Sequence, residues 1–263
     1  MDPVGRRPLG THAGMRGGRL NPLQALDNSV HVYLDDRPVS AWLGQAACLS
    51  AADLLRSSAY RRLGDRDDYL AGRVFLRTVL GRYLSCRPQD VPFASAATGS
   101  KPMLKDNTLS FNLSRAGSYR LIALTRGREV GADIETRRDA RAERTLGALP
   151  YDLALDDRER SAFDRLTEEE AKDAFLNVWT RKEAVIKATG LGLGYLPPTS
   201  FHVGCTAALP ADGTFRLAAP PVGVAGSWQL YVASLPGTQA TLAVALRGRP
   251  CTVPHLETNL LPC

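Results

Sequence analysis

Two short stretches of this chain hold residues whose types and spacing suit acid–base and phosphate chemistry. In Trp179-Thr-Arg-Lys182-Glu183-Ala-Val-Ile-Lys187, Glu183 and Lys187 are four residues apart, the spacing that sets side chains together on one helix edge. A carboxylate beside an ammonium can take a proton next to developing negative charge; the plainer alternative is a surface ion pair contributing about 0.3–0.5 kcal/mol. Lys182 falls within the apolar arc of the same helix, where its ammonium must snorkel out or meet an anion. In Gly131-Ala-Asp133-Ile-Glu135 the acids are two apart, so a strand points both to one face and Ile134 to the other. Neighbouring like charges repel and call for a cation. Either a Mg²⁺-like ion supplies it, shared between hard oxygens and substrate phosphates, or Arg137 or Arg138 of the following loop does.

Anion-binding candidates lie upstream. Arg73 and Arg77 share one helix face, which is either solvated or phosphate-binding. Lys101, stiffened by Pro102, sits in a loop over Ala94–Asn107; that loop lacks the Gly-x4-Gly-Lys-Ser/Thr spacing of a P-loop.

The elements that must position these groups are legible. A helix over Thr167–Thr189 opens with the Thr167/Glu170 capping box and closes at Gly190. Its apolar stripe is Phe175, Val178, Trp179 and Ile186. Helices are also expected from Ser50, over Asp65–Cys86 (ended by Pro88) and around Asp156–Leu166. Strands are expected over Val30–Leu34, Leu109–Leu113, Tyr119–Thr125 and Glu129–Glu135. Further strands are expected near Ser200–Gly204, Thr214–Leu217, Ser227–Ser234 and Thr241–Arg247. Gly190-Leu-Gly-Leu-Gly leaves a helix rather than a strand, so it is no dinucleotide fingerprint.

Composition narrows the classes. Hydrophobic residues at 44% and charged residues at 23% describe a globular chain, and no apolar run approaches the roughly 18–20 residues of a membrane span. The start of the chain has arginines but no apolar core of a signal peptide. Five cysteines, odd in number and without a Cys-x-x-Cys spacing, speak against a disulfide framework and for a reducing, cytoplasmic setting. The four histidines are scattered, which leaves histidine-based metal or triad chemistry without support. A net charge of +6 suits an anionic partner, yet no lysine block or aromatic-basic interleaving marks a nucleic-acid face.

Taken in order, Lys101-Pro102 with Phe111-Asn-Leu-Ser114, then Gly131-x-Asp133-x-Glu135, then Trp179-x-x-Lys182-Glu183-Ala-x-x-Lys187 resemble the Sfp-type 4′-phosphopantetheinyl transferases over about residues 60–205. The resemblance implies an α+β fold of two similar subdomains related by a pseudo-twofold axis, with coenzyme A in the cleft between them. It implies transfer of the phosphopantetheine arm to a serine of an apo acyl or peptidyl carrier protein, with release of 3′,5′-ADP. By the same resemblance Asp133, Glu135 and Glu183 hold Mg²⁺ (or Mn²⁺), Glu183 is the base, and Lys187 offsets charge on the leaving phosphate. Arg73, Lys101, Ser114, Arg115, Lys182 and Lys187 would contact coenzyme A. Arg115 stands where the family usually has His, and Ala132 where a larger Ile or Val is common.

The expected organisation is a flexible tail over 1–25, subdomains over 26–128 and 129–247, and a loose tail over 248–263, in a monomer bound to neither nucleic acid nor membrane. A carrier of fatty-acid, polyketide or non-ribosomal peptide synthesis would dock between Arg137 and Leu166, with Leu146, Leu149 and Leu153 as an apolar patch. Two other classes fit parts of the pattern: a non-catalytic coenzyme A or carrier-binding module, against which the intact acids and Lys187 argue, and a basic nucleic-acid-binding domain, whose affinity would fall steeply with salt.

Overall fold

A computed structural model describes residues 23, 26–94, 101–137, 151–205, 214–217, 220–235, 238, 240–248 and 252–258. Among the described residues are eight strands: β1 (Ser29–Asp35), β2 (Ser110–Ala116), β3 (Tyr119–Thr125), β4 (Val130–Thr136), β5 (Thr214–Arg216), β6 (Trp228–Ser234), β7 (Ala240–Arg247) and β8 (Thr252–Thr258). The α-helices among these residues are α1 (Val39–Leu43), α2 (Ala51–Ser57), α3 (Leu63–Leu84), α4 (Tyr151–Ala154), α5 (Asp157–Phe163) and α6 (Glu168–Thr189). They build an α+β fold with two four-stranded sheets, β2-β3-β1-β8 and β4-β7-β6-β5.

Alternation along the strands stacks the layers. Val30, Val32, Leu34, Leu121 and Ala123 face Ala132, Ile134, Leu242 and Val244, so the sheets pack face to face around one apolar core. The intervening residues of the first sheet, Tyr33, Ile122 and Leu124, pack beneath Val74, Phe75 and Val79 of α3. On the second sheet, Leu230, Val232, Ala243 and Ala245 pack beneath Phe175, Val178 and Val185 of α6. Each half thus lays one 22-residue helix on its sheet.

Helix α6 starts as its sequence predicts, with the reciprocal Thr167–Glu170 capping box, and stops at Gly190 with φ 71°. Helix α3 ends through Ser85 in the left-handed region, φ 51°. Two expectations fail. Residues 200–204 form no strand; a 3₁₀ turn at Pro198–Ser200 and loop stand there. The expected loose C-terminal segment contains β8, which pairs parallel to β1 with His31 opposite His255 and Tyr33 opposite Glu257. A parallel edge added from the far end of the chain leaves no hairpin signature in sequence. The expected N-terminal tail, except Leu23, and Arg138, Leu146 and Leu149 lie outside the described residues. Among the described residues no helix is long and apolar enough to cross a membrane.

Candidate active site

Strand β4 turns Gly131, Asp133 and Glu135 away from the inter-sheet core and toward α6. The helix settles there because Gly131 has no side chain: a Cβ would lie 2.0 Å from the Ala184 carbonyl oxygen and 2.4 Å from the Ala188 amide nitrogen. This backbone-to-backbone approach brings Glu183 and Lys187, which flank Ala184 and Ala188, over Asp133. From the other half, Asn112 of β2 accepts a hydrogen bond from the Ala132 amide at 2.9 Å, which sets Ser114 against the same aspartate.

Asp133 is 1% exposed. Its Oδ1 accepts from Ser114 Oγ at 2.8 Å and Lys187 Nζ at 2.5 Å, and Lys187 Nζ also donates to Ser114 Oγ at 3.2 Å. Glu183 Oε2 stands 4.0 Å from that ammonium. Burial pushes the Asp133 carboxyl above its ordinary value, with Lys187 and Ser114 pulling back. Burial likewise raises Glu183, against the pull of Lys187 and with the push of Asp133. For Lys187 burial acts downward, but Asp133, Glu183 and Glu135 outweigh it and the ammonium is held above its ordinary value.

The cation beside Asp133 is Lys187; Arg138, one of the two arginines expected to neutralise Asp133 and Glu135, lies outside the described residues. Arg137 pairs instead with Glu169 and Asp173, each at 2.6 Å. Asp133 and Glu183 stand 2.5 and 4.0 Å from the Lys187 ammonium, and the charge of Glu135 also acts on it. The trio of ligating groups found within 4.8 Å among the described residues is Asp156, Glu159 and His202. One feature fits a hard cation at Asp133 nonetheless: its Oδ2 is buried with no hydrogen-bond partner, a costly condition that a metal ion would relieve.

In front of Lys187 opens a cavity of about 1200 Å³ lined by both halves. Arg73, Lys101 and Arg115 line it from the first half, Glu183 and Lys187 from the second; Asp133 and Ser114 lie behind Lys187. Lys101 Nζ donates to the carbonyls of Val130 at 3.2 Å and Lys187 at 3.4 Å. Burial, with Lys187 adding to it and Glu129 opposing, lowers the Lys101 ammonium to about 8. Arg115 crosses Gly72, where a Cβ would lie 3.2 Å from its Cδ, and pairs with Asp68 at 2.5 Å.

Lys182 is a correction. It does not line the cavity but is fully buried on the other side of α6. There it sits 2.5 Å from Glu159 and donates to the carbonyls of Ala154 and Pro198 at 2.9 and 2.7 Å. The anion that its place in the apolar arc demanded is a protein carboxylate, not a ligand. That carboxylate also belongs to the trio: Glu159 closes the Asp156 capping box of α5 and accepts from the Val203 amide at 2.8 Å. Glu159 was signalled only by the Asp156-x-x-Glu159 spacing.

A two-layer junction sets carboxylates and an ammonium at the end of a cavity lined by arginine and lysine, chemistry that suits a phosphate-bearing ligand. Residues 129–245 match the family model of the 4′-phosphopantetheinyl transferase superfamily. The chain is 32% identical over 232 residues to the 4′-phosphopantetheinyl transferase HetI of Nostoc, covering 86% of this chain and 91% of the relative. It is 30% identical over 243 residues to a putative 4′-phosphopantetheinyl transferase of Synechocystis, covering 86% and 89%. A shorter match, 32% over 151 residues, is to the 4′-phosphopantetheinyl transferase AcpT of Escherichia coli, covering 56% and 71%. This chain belongs to the 4′-phosphopantetheinyl transferase superfamily and is a transferase of that class.

Proposed function

We propose that the protein moves the 4′-phosphopantetheine arm of coenzyme A onto a serine hydroxyl of an apo acyl or peptidyl carrier protein and releases 3′,5′-ADP. The observation that carries the reading is the cavity itself: guanidinium and ammonium groups from one half lead to Glu183 and Lys187 of the other, with Asp133 behind them. Asp133, Glu135 and Glu183 are the residues that would hold Mg²⁺ or Mn²⁺. The ion supplies charge neutralisation at the pyrophosphate.

Glu183 takes the serine proton as the serine oxygen bonds to phosphorus and the pyrophosphate P–O bond to 3′,5′-ADP breaks. Its buried carboxyl, raised from the ordinary range, is a better base than an exposed one. Lys187 offsets charge on the departing phosphate, and Ser114 and Asp133 hold its ammonium in place. Arg73, Lys101 and Arg115 bind the phosphates of coenzyme A. The protein works as a monomer in a reducing, cytoplasmic setting, its described Cys48, Cys86 and Cys205 being free thiols.

The test is mass spectrometry of apo carrier proteins from fatty-acid, polyketide and non-ribosomal peptide systems after incubation with coenzyme A and Mg²⁺. A gain of one phosphopantetheine arm on serine supports the reading. Binding of coenzyme A with no modification of any carrier would refute it in favour of a binding module.

A further inference from the structure

Asp53 is a carboxylate, 3% exposed, with no place in the reaction above. At the first turn of α2 it forms a capping box with Ser50, and it also reaches across to α3. Arg73 Nε donates to its Oδ1 at 2.6 Å and Arg77 Nε to its Oδ2 at 2.5 Å. The two arginines differ in what remains. Arg77 is fully engaged, its NH1 on the carbonyls of Pro88 and Gln89 at 3.0 and 3.2 Å and its NH2 on Ser50 Oγ at 2.7 Å. Both line the cavity and lie over the Phe93 ring, Arg73 at 4.3 Å and Arg77 at 4.9 Å, but Arg73 is held at Nε alone. Its NH1 and NH2 have no partner among the described residues. A planar guanidinium held at Nε and stacked on one face keeps its terminal N–H edge in a fixed direction.

Resting on the reading of this cavity as the coenzyme A site, we propose that Asp53 is a positioning residue that aims the terminal N–H groups of Arg73 at a phosphate of the ligand, while Arg77 serves as the strut that holds Asp53. The sign of one substitution separates this role from mere charge. A carboxylate beside a phosphate-binding arginine reduces the local positive potential. Were charge all that mattered, Asp53→Asn would tighten coenzyme A binding. A positioning role gives the opposite, because the freed guanidinium must be ordered anew by each ligand.

Titration calorimetry of the full chain with coenzyme A, together with transfer kinetics, tests it. In Asp53→Asn, Kd and KM for coenzyme A rise about tenfold, the scale of one charge-assisted hydrogen bond, with kcat nearly unchanged. In an Arg73→Ala background the same substitution has almost no further effect. Should the single variant fail to fold, Asp53→Asn/Arg77→Leu removes the buried charge with its partner and is held to the same outcomes. A wild-type chain that binds no coenzyme A overturns the cavity reading and this role with it. A wild type that binds, with Asp53→Asn binding equally or more tightly, overturns the role of Asp53 alone. So does an undiminished loss in the Arg73→Ala background.

Discussion

A single methyl group at Gly131 should disable the site without touching any reactive residue. An ideal Cβ there meets the backbone of α6 at 2.0, 2.4 and 3.0 Å, and ordinary contact begins at 3.4 Å, so the helix must retreat by roughly 1.4 Å. No rotamer change relieves the clash, because both partners are main chain. Overpacking of this kind costs about 1–3 kcal/mol, a fall in Tm of roughly 5 °C for a chain of this size. The retreat also lifts Glu183 and Lys187 off Asp133, and a misplacement of about 1 Å lowers a reaction rate on the order of 10²-fold. Thermal melting and transfer kinetics of Gly131→Ala measure both. Gly64→Ala is the control: a Cβ there meets nothing within 4 Å, so the rate should hold and stability, in the first turn of α3, should stay level or rise slightly. Wild-type melting and turnover in Gly131→Ala would refute the claim that helix–strand approach builds the site.

Other substitutions separate structure from chemistry. Lys182→Met leaves Glu159 buried without its ammonium and should lower stability in urea by about 3–5 kcal/mol; adding Glu159→Gln recovers part of it, and coenzyme A affinity per folded molecule stays unchanged because neither residue lines the cavity. Glu183→Ala and Asp133→Ala should each abolish transfer while circular dichroism reports a folded chain, and turnover should cease when metal is stripped by chelator. Lys101 titrates near 8 in the free protein, below its ordinary value, so its positive charge is present at pH 7 and largely lost by pH 9. Coenzyme A affinity should fall over that interval, less so in Lys101→Arg, and a flat calorimetric profile in the wild type counts against Lys101 as a phosphate ligand.

What the sequence revealed was local. The capping box and closing glycine of α6, and the alternation of β3, β4 and β7, depend on neighbours a few residues away, and these elements stand where their patterns placed them. The face shared by Asp133 and Glu135 follows from strand geometry alone. What escaped depends on partners far along the chain. Lys182 announced that it needed an anion but not that Glu159 of α5 would supply it. Asp53 carried only the Ser50-x-x-Asp53 capping signal, and its link to Arg73 and Arg77 comes from α3 lying across α2. The pairing of β8 with β1 joins residues from opposite ends of the chain, so neither strand signals the other.

Helix packing and the seam between the halves together fix how the site can respond to a ligand. Two halves meeting at a cleft would by default move as separate bodies, unless their interface is extensive and apolar. Here it is apolar: Val30, Val32, Leu34, Leu121 and Ala123 of one sheet face Val130, Ala132, Ile134, Leu242 and Val244 of the other. Asn112 and Ser114 extend the seam to the rim, bonding Ala132 and Asp133. Opening the cleft as a hinge would expose that core and break those bonds, which makes closure of one half onto the other a poor account of catalysis here. A smaller adjustment is open to the Lys187 side chain, 31% exposed. Its ammonium pairs with Asp133, and a phosphate entering the cavity competes with that carboxylate for it.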